Sequence, residues 1–325
     1  GYTGNGGNIT IPSKIEGYYV YYVTDFAFAG SEDITGVVFP DTLYYIGSYA
    51  FSDCTALSSI SVGELLCDLG EHAFENCTAL TTVDWNANFV FFDPYSNGYF
   101  ANAGTVGSGI RVTFGDKVQA VPDRLFYAED AADAPKVVSV TFGANIEGIG
   151  QSAFKNCPLT AVVFPDHLTN IWRDAFSGCP LTSVEFNDEL DSISDGAFSG
   201  CLFTSLTFPD RLLYISSYAF ADCTELSAIT FGNTDGPRIQ RNAFLNCPQL
   251  ISVTIPKKAE IQEHALGYCY EAGNLQKLEL TISGYTYSGA DEYAKDNGFT
   301  FISLGGAFVD VPAGKWYEPY IDDLV

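Results

Sequence analysis

The chain has 325 residues, and its 15 Lys and Arg against 40 Asp and Glu leave a formal charge of −25. That balance argues against nucleic acid, whose phosphates need clustered cations, and against an anionic membrane surface. Hydrophobic residues make up 47% and charged ones 17%, too apolar for a disordered acidic chain, and no run of about 18 apolar residues is present to cross a bilayer. Because the chain holds no Met, Gly1 is expected to open either an excised piece or a mature form, with any signal peptide already removed.

Self-similarity dominates the rest. Phe28, Phe51, Phe74, Phe154, Phe176, Phe198, Phe220 and Phe244 each follow an Ala, and Leu266 closes the series, at steps of 22–24 residues outside one looser stretch. Phe100 and Phe126 carry the register through that stretch at steps of 26–28, giving about eleven coils. Taken in chain order, each coil opens on a strand. Val184-Glu185-Phe186 and Leu206-Thr207-Phe208 alternate apolar and polar residues, so one face turns inward. A corner follows at Pro40-Asp41, Gly115-Asp116, Pro165-Asp166, Asn187-Asp188 and Pro209-Asp210, because Pro cannot donate to a ladder and Asp suits a turn. A return limb then places Val23, Ile46, Leu69, Val121, Ile149, Ile171, Ile193, Ile215, Ile239 and Ile261 in one column. The Ala-Phe corner turns the chain back, and a short 3₁₀ piece is expected there. A period near 22 is too short for a crossover helix and fits a solenoid, in which each coil needs neighbours to bury its Phe and Ile.

The stretch Leu181 to Cys201, L-T-S-V-E-F-N-D-E-L-D-S-I-S-D-G-A-F-S-G-C, resembles the BspA-type leucine-rich repeats of bacterial surface proteins, and the resemblance covers about residues 8–304. It implies a right-handed solenoid with a parallel β-sheet on one face and short strands or 3₁₀ turns on the other. It also implies a location at the bacterial cell surface and an adhesive role. Residues 282–304, with Glu292-Tyr-Ala-Lys-Asp-Asn-Gly298, resemble the closing cap of such arrays, so residues 1–304 are expected to form the solenoid. In residues 305–325, Phe308-Val-Asp310-Val-Pro-Ala-Gly-Lys-Trp316-Tyr317 resembles the opening of an S-layer homology motif. That implies docking to cell-wall polysaccharide through the remainder of the motif.

Chemistry-bearing residues follow the repeat. Cys54, Cys77, Cys157, Cys179, Cys201, Cys223, Cys247 and Cys269 all lie three residues after a key position, so they are expected inside, reduced, as small hydrophobes. Stacked thiols in a line cannot surround zinc, and parallel Cβ vectors suit a disulfide poorly. Cys67 falls off register and is the expected exposed thiol. His72, His167 and His264 have no nucleophile fixed beside them, and Arg173, Arg211 and Arg241 are scattered, so no enzyme and no cofactor is expected. The Asp column reads as turn residues, with calcium as the alternative.

The outward strand positions Ser61, Asp84, Thr113, Thr141, Val163, Glu185, Thr207, Thr230 and Thr254 make a plain scaffold face. Aromatics gather in two other places. Phe92, Tyr95 and Tyr99 lie in the looser coils, where Tyr95 and Tyr99 are expected on a loop; Tyr44, Tyr45, Tyr49, Tyr214 and Tyr218 lie on the return limb. Tyr is a common interface residue, which makes Tyr95, Tyr99, Phe92, Tyr44 and Tyr214 the candidate ligand contacts. The expected function is adhesion to an extracellular protein or glycan. A stalk that displays other domains is the alternative.

Overall fold

The computed structural model describes residues 4–88, 98–127, 130–232 and 236–305. The fold is a parallel β-solenoid of about twelve turns. Contacts divide the chain into two units, Gly1–Leu181 and Thr182–Val325.

In the first unit the strands Gly7–Thr10, Ile34–Val38, Ser59–Val62, Thr82–Trp85, Ile110–Phe114 and Val137–Thr141 form one six-stranded parallel sheet in chain order. Register follows the repeat, with Val37 opposite Ile60, Ile60 opposite Val83 and Val83 opposite Val112. The next strand, Ala161–Val163, is not part of that sheet. Its coil has one residue fewer between Cys157 and the inward Leu159 than Cys54 and Leu57 have. Leu159 N therefore bonds back two residues to Cys157 O, where Leu57 N reaches back three to Cys54 O. On the return limb, two-residue strands stack Val23 on Ile46 on Leu69, and Val121 on Ile149 on Ile171.

The Ala-Phe corner holds the coils together by two devices. Its backbone bonds from coil to coil: Phe28 N donates to Ala50 O, Phe51 N to Ala73 O and Phe154 N to Ala175 O. Its rings stack: Phe28, Phe51, Phe74, Phe100, Phe126, Phe154 and Phe176 lie 4.7–5.7 Å apart between successive centroids. Emptying any one site strips contacts from two neighbours.

The corner is not the expected 3₁₀ piece; a 3₁₀ helix forms at Ala131–Asp133 instead. The corner is a turn flanked by two left-handed residues. Two positions after the key Phe, Asp53, Asn76, Asn102 and Asn156 have φ between 56° and 63°. Short polar side chains tolerate that region, and they bond along the array, Asn76 Nδ2 to Asp53 Oδ1 at 2.8 Å and Asn102 Nδ2 to Asn76 Oδ1 at 3.2 Å. Two positions before the key Phe the backbone is left-handed too, at the rings of Phe26, Tyr49 and His72 with φ 54–56° and then at Gly98, Arg124, Ser152 and Asp174.

The cysteine column has a polar task besides filling space. Cys54, Cys77, Cys157 and Cys179 each donate the thiol to the carbonyl of the key Phe one coil earlier, at 3.0–3.6 Å. That carbonyl also accepts the amide of the Cys in its own coil, as Cys54 N donates to Phe51 O and Cys77 N to Phe74 O. Both lone pairs of a buried carbonyl are thereby used. Burial raises these thiol pKa values, Cys54 to about 11 and Cys77 and Cys179 well above the ordinary value.

The second unit repeats the plan. Strands Ser205–Phe208, Ala228–Phe231, Ser252–Thr254, Thr281–Gly284 and Thr300–Ser303 form a five-stranded parallel sheet. Phe198 stacks on Phe220 at 5.3 Å and Phe220 on Phe244 at 5.1 Å. Cys223 and Cys247 bond to Phe198 O and Phe220 O. Cys269 departs from the expected column. It lies in an antiparallel hairpin, Tyr268–Glu271 with Asn274–Lys277, and is partly exposed, because the hairpin leaves the coil path after Leu266.

Leu266 has no following Ala-Phe corner to bond. Helix α1, Gly289–Asn297, replaces it: the Tyr293 hydroxyl accepts from Leu266 N at 3.0 Å and donates to Leu266 O at 2.7 Å. The helix ends at Gly298, left-handed at φ 65°, as a C-cap should. Its buried Asp291 carboxylate accepts from Tyr287 N and Lys295 Nζ, each at 2.9 Å.

Candidate functional site

A β-hairpin begins the exposed aromatic surface of the first unit. Lys14–Ile15 pairs antiparallel with Tyr18–Tyr19 across Glu16 and Gly17, whose φ values of 50° and 88° are those of a two-residue type I′ turn. The hairpin stands outside the repeat, so its tyrosines have no coil to pack into. Tyr18 is 80% exposed and Tyr22 62%. Tyr19 lies 5.9 Å from Tyr21, Tyr21 6.4 Å from Tyr22, and Tyr22 6.3 Å from Tyr45, so the rings form one connected surface. Lys14 Nζ sits 4.2 Å above the Tyr19 ring.

Tyr44 joins this surface, half-exposed, with its amide bonded to Tyr21 O. A hydrogen bond with Cys67 raises its phenol pKa, so the off-register thiol is tied to a surface tyrosine. Cys67 is partly exposed, as is Cys269. Burial, with Asp25 beside it, raises the Tyr45 pKa; its hydroxyl lies 3.3 Å from Asp25 Oδ1. A second row begins alongside: Phe26, 60% exposed, stacks on Tyr49 at 5.1 Å, and Tyr49 on His72 at 5.0 Å. These are the bulky left-handed residues of the corner. Such backbone costs about 1–2 kcal/mol per residue, and it recurs at Arg124, Ser152 and Asp174, so it belongs to the corner of every coil.

The other candidate contacts fall elsewhere. Tyr214 is half-exposed in the second unit, beside Arg238 in its ladder, and Tyr218 accepts from Asn242 Nδ2 at 2.9 Å. Tyr99 is 0% exposed, which corrects the loop reading: its carbonyl takes the Phe74 amide, the place Ala holds in other corners, so its ring enters the core beside Phe100. Phe92 and Tyr95 lie outside the described residues, as does the tail from 306. The hairpin tyrosines escaped the repeat-based reading because they precede the first full coil. The dipeptide Glu16-Gly17 between Tyr-rich flanks was the available signal.

Among the described residues no group of three His, Cys, Asp or Glu side chains is placed to hold a metal ion. His72 stacks on Tyr49 and lies 3.4 Å from Glu75 Oε2, while His264 packs on Tyr268. His72 acts here as a ring in a stack, and His264 meets its neighbour edge-on.

Stacked coils, a Phe ladder and a capped end define the class as a leucine-rich-repeat solenoid carrying an exposed aromatic surface. The model of the BspA type leucine rich repeat region matches residues 21–129 and 147–272 in six copies, and the chain belongs to that family. A leucine-rich repeat protein from Bacteroides ovatus shares 16% identity, with 91% of this chain and 92% of that chain covered and a TM-score of 0.50. The pneumococcal vaccine antigen PcpA shares 16% identity over 89% of this chain and 72% of that chain, with a TM-score of 0.49. A leucine rich cell surface protein from Faecalibacterium prausnitzii shares 20% identity over 95% and 90%, with a TM-score of 0.42. No curated protein matches the chain.

Proposed function

We infer that the chain is a non-enzymatic recognition module of a bacterial cell surface, which binds an extracellular protein or glycan through the exposed aromatics of its first unit. One observation carries this reading: Tyr19, Tyr21, Tyr22 and Tyr45 form a connected ring surface, and Tyr18 and Tyr44 are exposed next to them in the chain. Tyrosine joins large apolar area to a hydroxyl and loses little entropy on binding, so such surfaces suit recognition. Family membership supports the reading, since these repeats belong to surface proteins and build scaffolds rather than catalytic centres. A docking role in the cell wall through residues 305–325, and a contribution from Tyr214, Phe92 and Tyr95, are parts of the same proposal.

The net charge of −25 favours a basic patch on the partner. The experiment is a screen of the full chain against immobilised extracellular-matrix proteins and oligosaccharides at two salt concentrations. A bound partner whose affinity falls with salt supports the module. A plain strand face of Ser61, Asp84, Thr113 and Thr141 favours the second reading, a display stalk, which an entirely negative screen would support.

A further inference from the structure

A second surface feature of the first unit lies on the return limb. Trp172 is 40% exposed, in a column that holds Gly47, Gly70, Pro122 and Gly150 in other coils. Its indole folds back over the preceding coil, where Gly148 stands opposite Asn170 and Ala120 in the ladder. A Cβ at position 148 would lie 3.0 Å from the indole Cη2 and 3.2 Å from Cζ3, so the ring rests on bare backbone. Beside it opens a cleft of about 420 Å³, within the range of small-ligand sites.

Polar groups with both donor and acceptor character edge this cleft. Gln119 and Glu147 are exposed at its rim. Asn170 Nδ2 donates to Thr169 Oγ1 at 2.8 Å, and that hydroxyl donates to Glu147 O at 3.0 Å, which fixes both side chains. Asp123 is held by Gln151 N at 2.7 Å. Among the described residues lining the cleft there is no Lys or Arg.

We propose that this cleft binds a neutral saccharide, one pyranose ring stacking on Trp172 while its hydroxyls bond Gln119, Glu147 and Asn170. A sugar hydroxyl both donates and accepts, which matches a rim of amides and carboxylates. Purely cationic ligands would leave the amide donors unused. Acidic sugars would meet Glu147 and Asp123 with no compensating cation. The axial C–H groups of the ring supply the apolar face that a half-exposed indole needs. This inference deepens the recognition reading and rests on it, but it uses residues separate from the tyrosine surface.

The test is calorimetric titration of the full chain with neutral hexasaccharides of glucose, mannose, xylose and N-acetylglucosamine. At least one is expected to bind. Trp172→Ala should weaken that sugar at least about tenfold, as loss of a Trp anchor does. The melting temperature should be unchanged, since the neighbouring coils carry Gly150 and Ser194 in this column. Gly148→Ala should weaken the same sugar by evicting the indole. No binding by any of the four, or binding indifferent to Trp172→Ala, overturns the saccharide site. If the same chain still binds a matrix protein through its tyrosines, only the saccharide site has failed and the recognition reading stands.

Discussion

Two ring stacks stand two residues apart in the first coils of the first unit, the inner continuing to Phe176 and the outer ending at His72. The inner one stacks Phe51 on Phe74 at 5.4 Å with planes 11° apart; the outer one stacks Tyr49 on His72 at 5.0 Å and 12°. Geometry is nearly the same, but surroundings are opposite. Phe51 and Phe74 are fully buried, while Phe26 at the start of the outer row is 60% exposed. Burying a Phe contributes about 1.5–3 kcal/mol, so the inner ladder is a source of stability. The outer ladder offsets its stacking gain with left-handed backbone, so folding alone gives little reason for bulky rings there. The inner ladder builds the scaffold, and the outer row and its neighbouring tyrosines are available to a partner.

The largest effects should come from the inner ladder. Phe51→Ala and Phe198→Ala should each cost about 3–5 kcal/mol in denaturant unfolding, the usual range for emptying a core Phe site. Phe198 loses its stack on Phe220 and its edge contacts with Phe186 and Phe203. A loss under about 1 kcal/mol would contradict the ladder. Tyr99→Ser should also destabilise, by about 3 kcal/mol, because its ring is core and not loop.

The thiol column gives a pH-dependent version of the same comparison. Burial raises the Cys77 pKa well above 9.0, so the folded chain holds this proton more tightly than the unfolded chain. The resulting stability is fully present below the unfolded value and is lost as pH rises above it toward the folded value. Each such thiol should contribute a decline of about 1.4 kcal/mol per pH unit in that window. Denaturant midpoints at pH 8, 9 and 10 should fall less steeply for Cys77→Ala than for the native chain. Parallel declines would remove the buried thiol from the account.

The smallest stability effect belongs to the outer row. Tyr49→Gly relieves left-handed strain of about 1–2 kcal/mol and forfeits stacking of about 0.5–1.5 kcal/mol. Its melting temperature should therefore stay close to that of the native chain. A large loss would make Tyr49 a structural residue like Phe51.

Much of this fold is legible from the columns of the repeat, because a solenoid writes the same burial demand into every coil. Val37, Ile60 and Val112 fall inward as their alternation requires. The corner geometry was less legible. Asn76 and Asp53 advertise left-handed backbone, but Tyr49 and His72 do not, and their φ values come from the coil-to-coil bonds around them. The thiol-to-carbonyl bonds were hidden for a related reason: a repeated Cys looks the same whether it fills space or donates. Tyr99 misled because it sits beside a gap in the register, where a core residue and a loop residue share the same sequence surroundings. Trp172 depends on Gly148, and that pairing between successive coils becomes visible only once the two are stacked.

The central claim separates a folding ladder from a binding surface, and one measurement addresses it directly. Once the screen has supplied a partner, its affinity for the native chain is compared by calorimetry with that for Tyr18→Ser/Tyr22→Ser. The account predicts an unchanged melting temperature and an affinity loss of about 2 kcal/mol, as for hot-spot aromatics. Unchanged affinity in a folded double variant would contradict it.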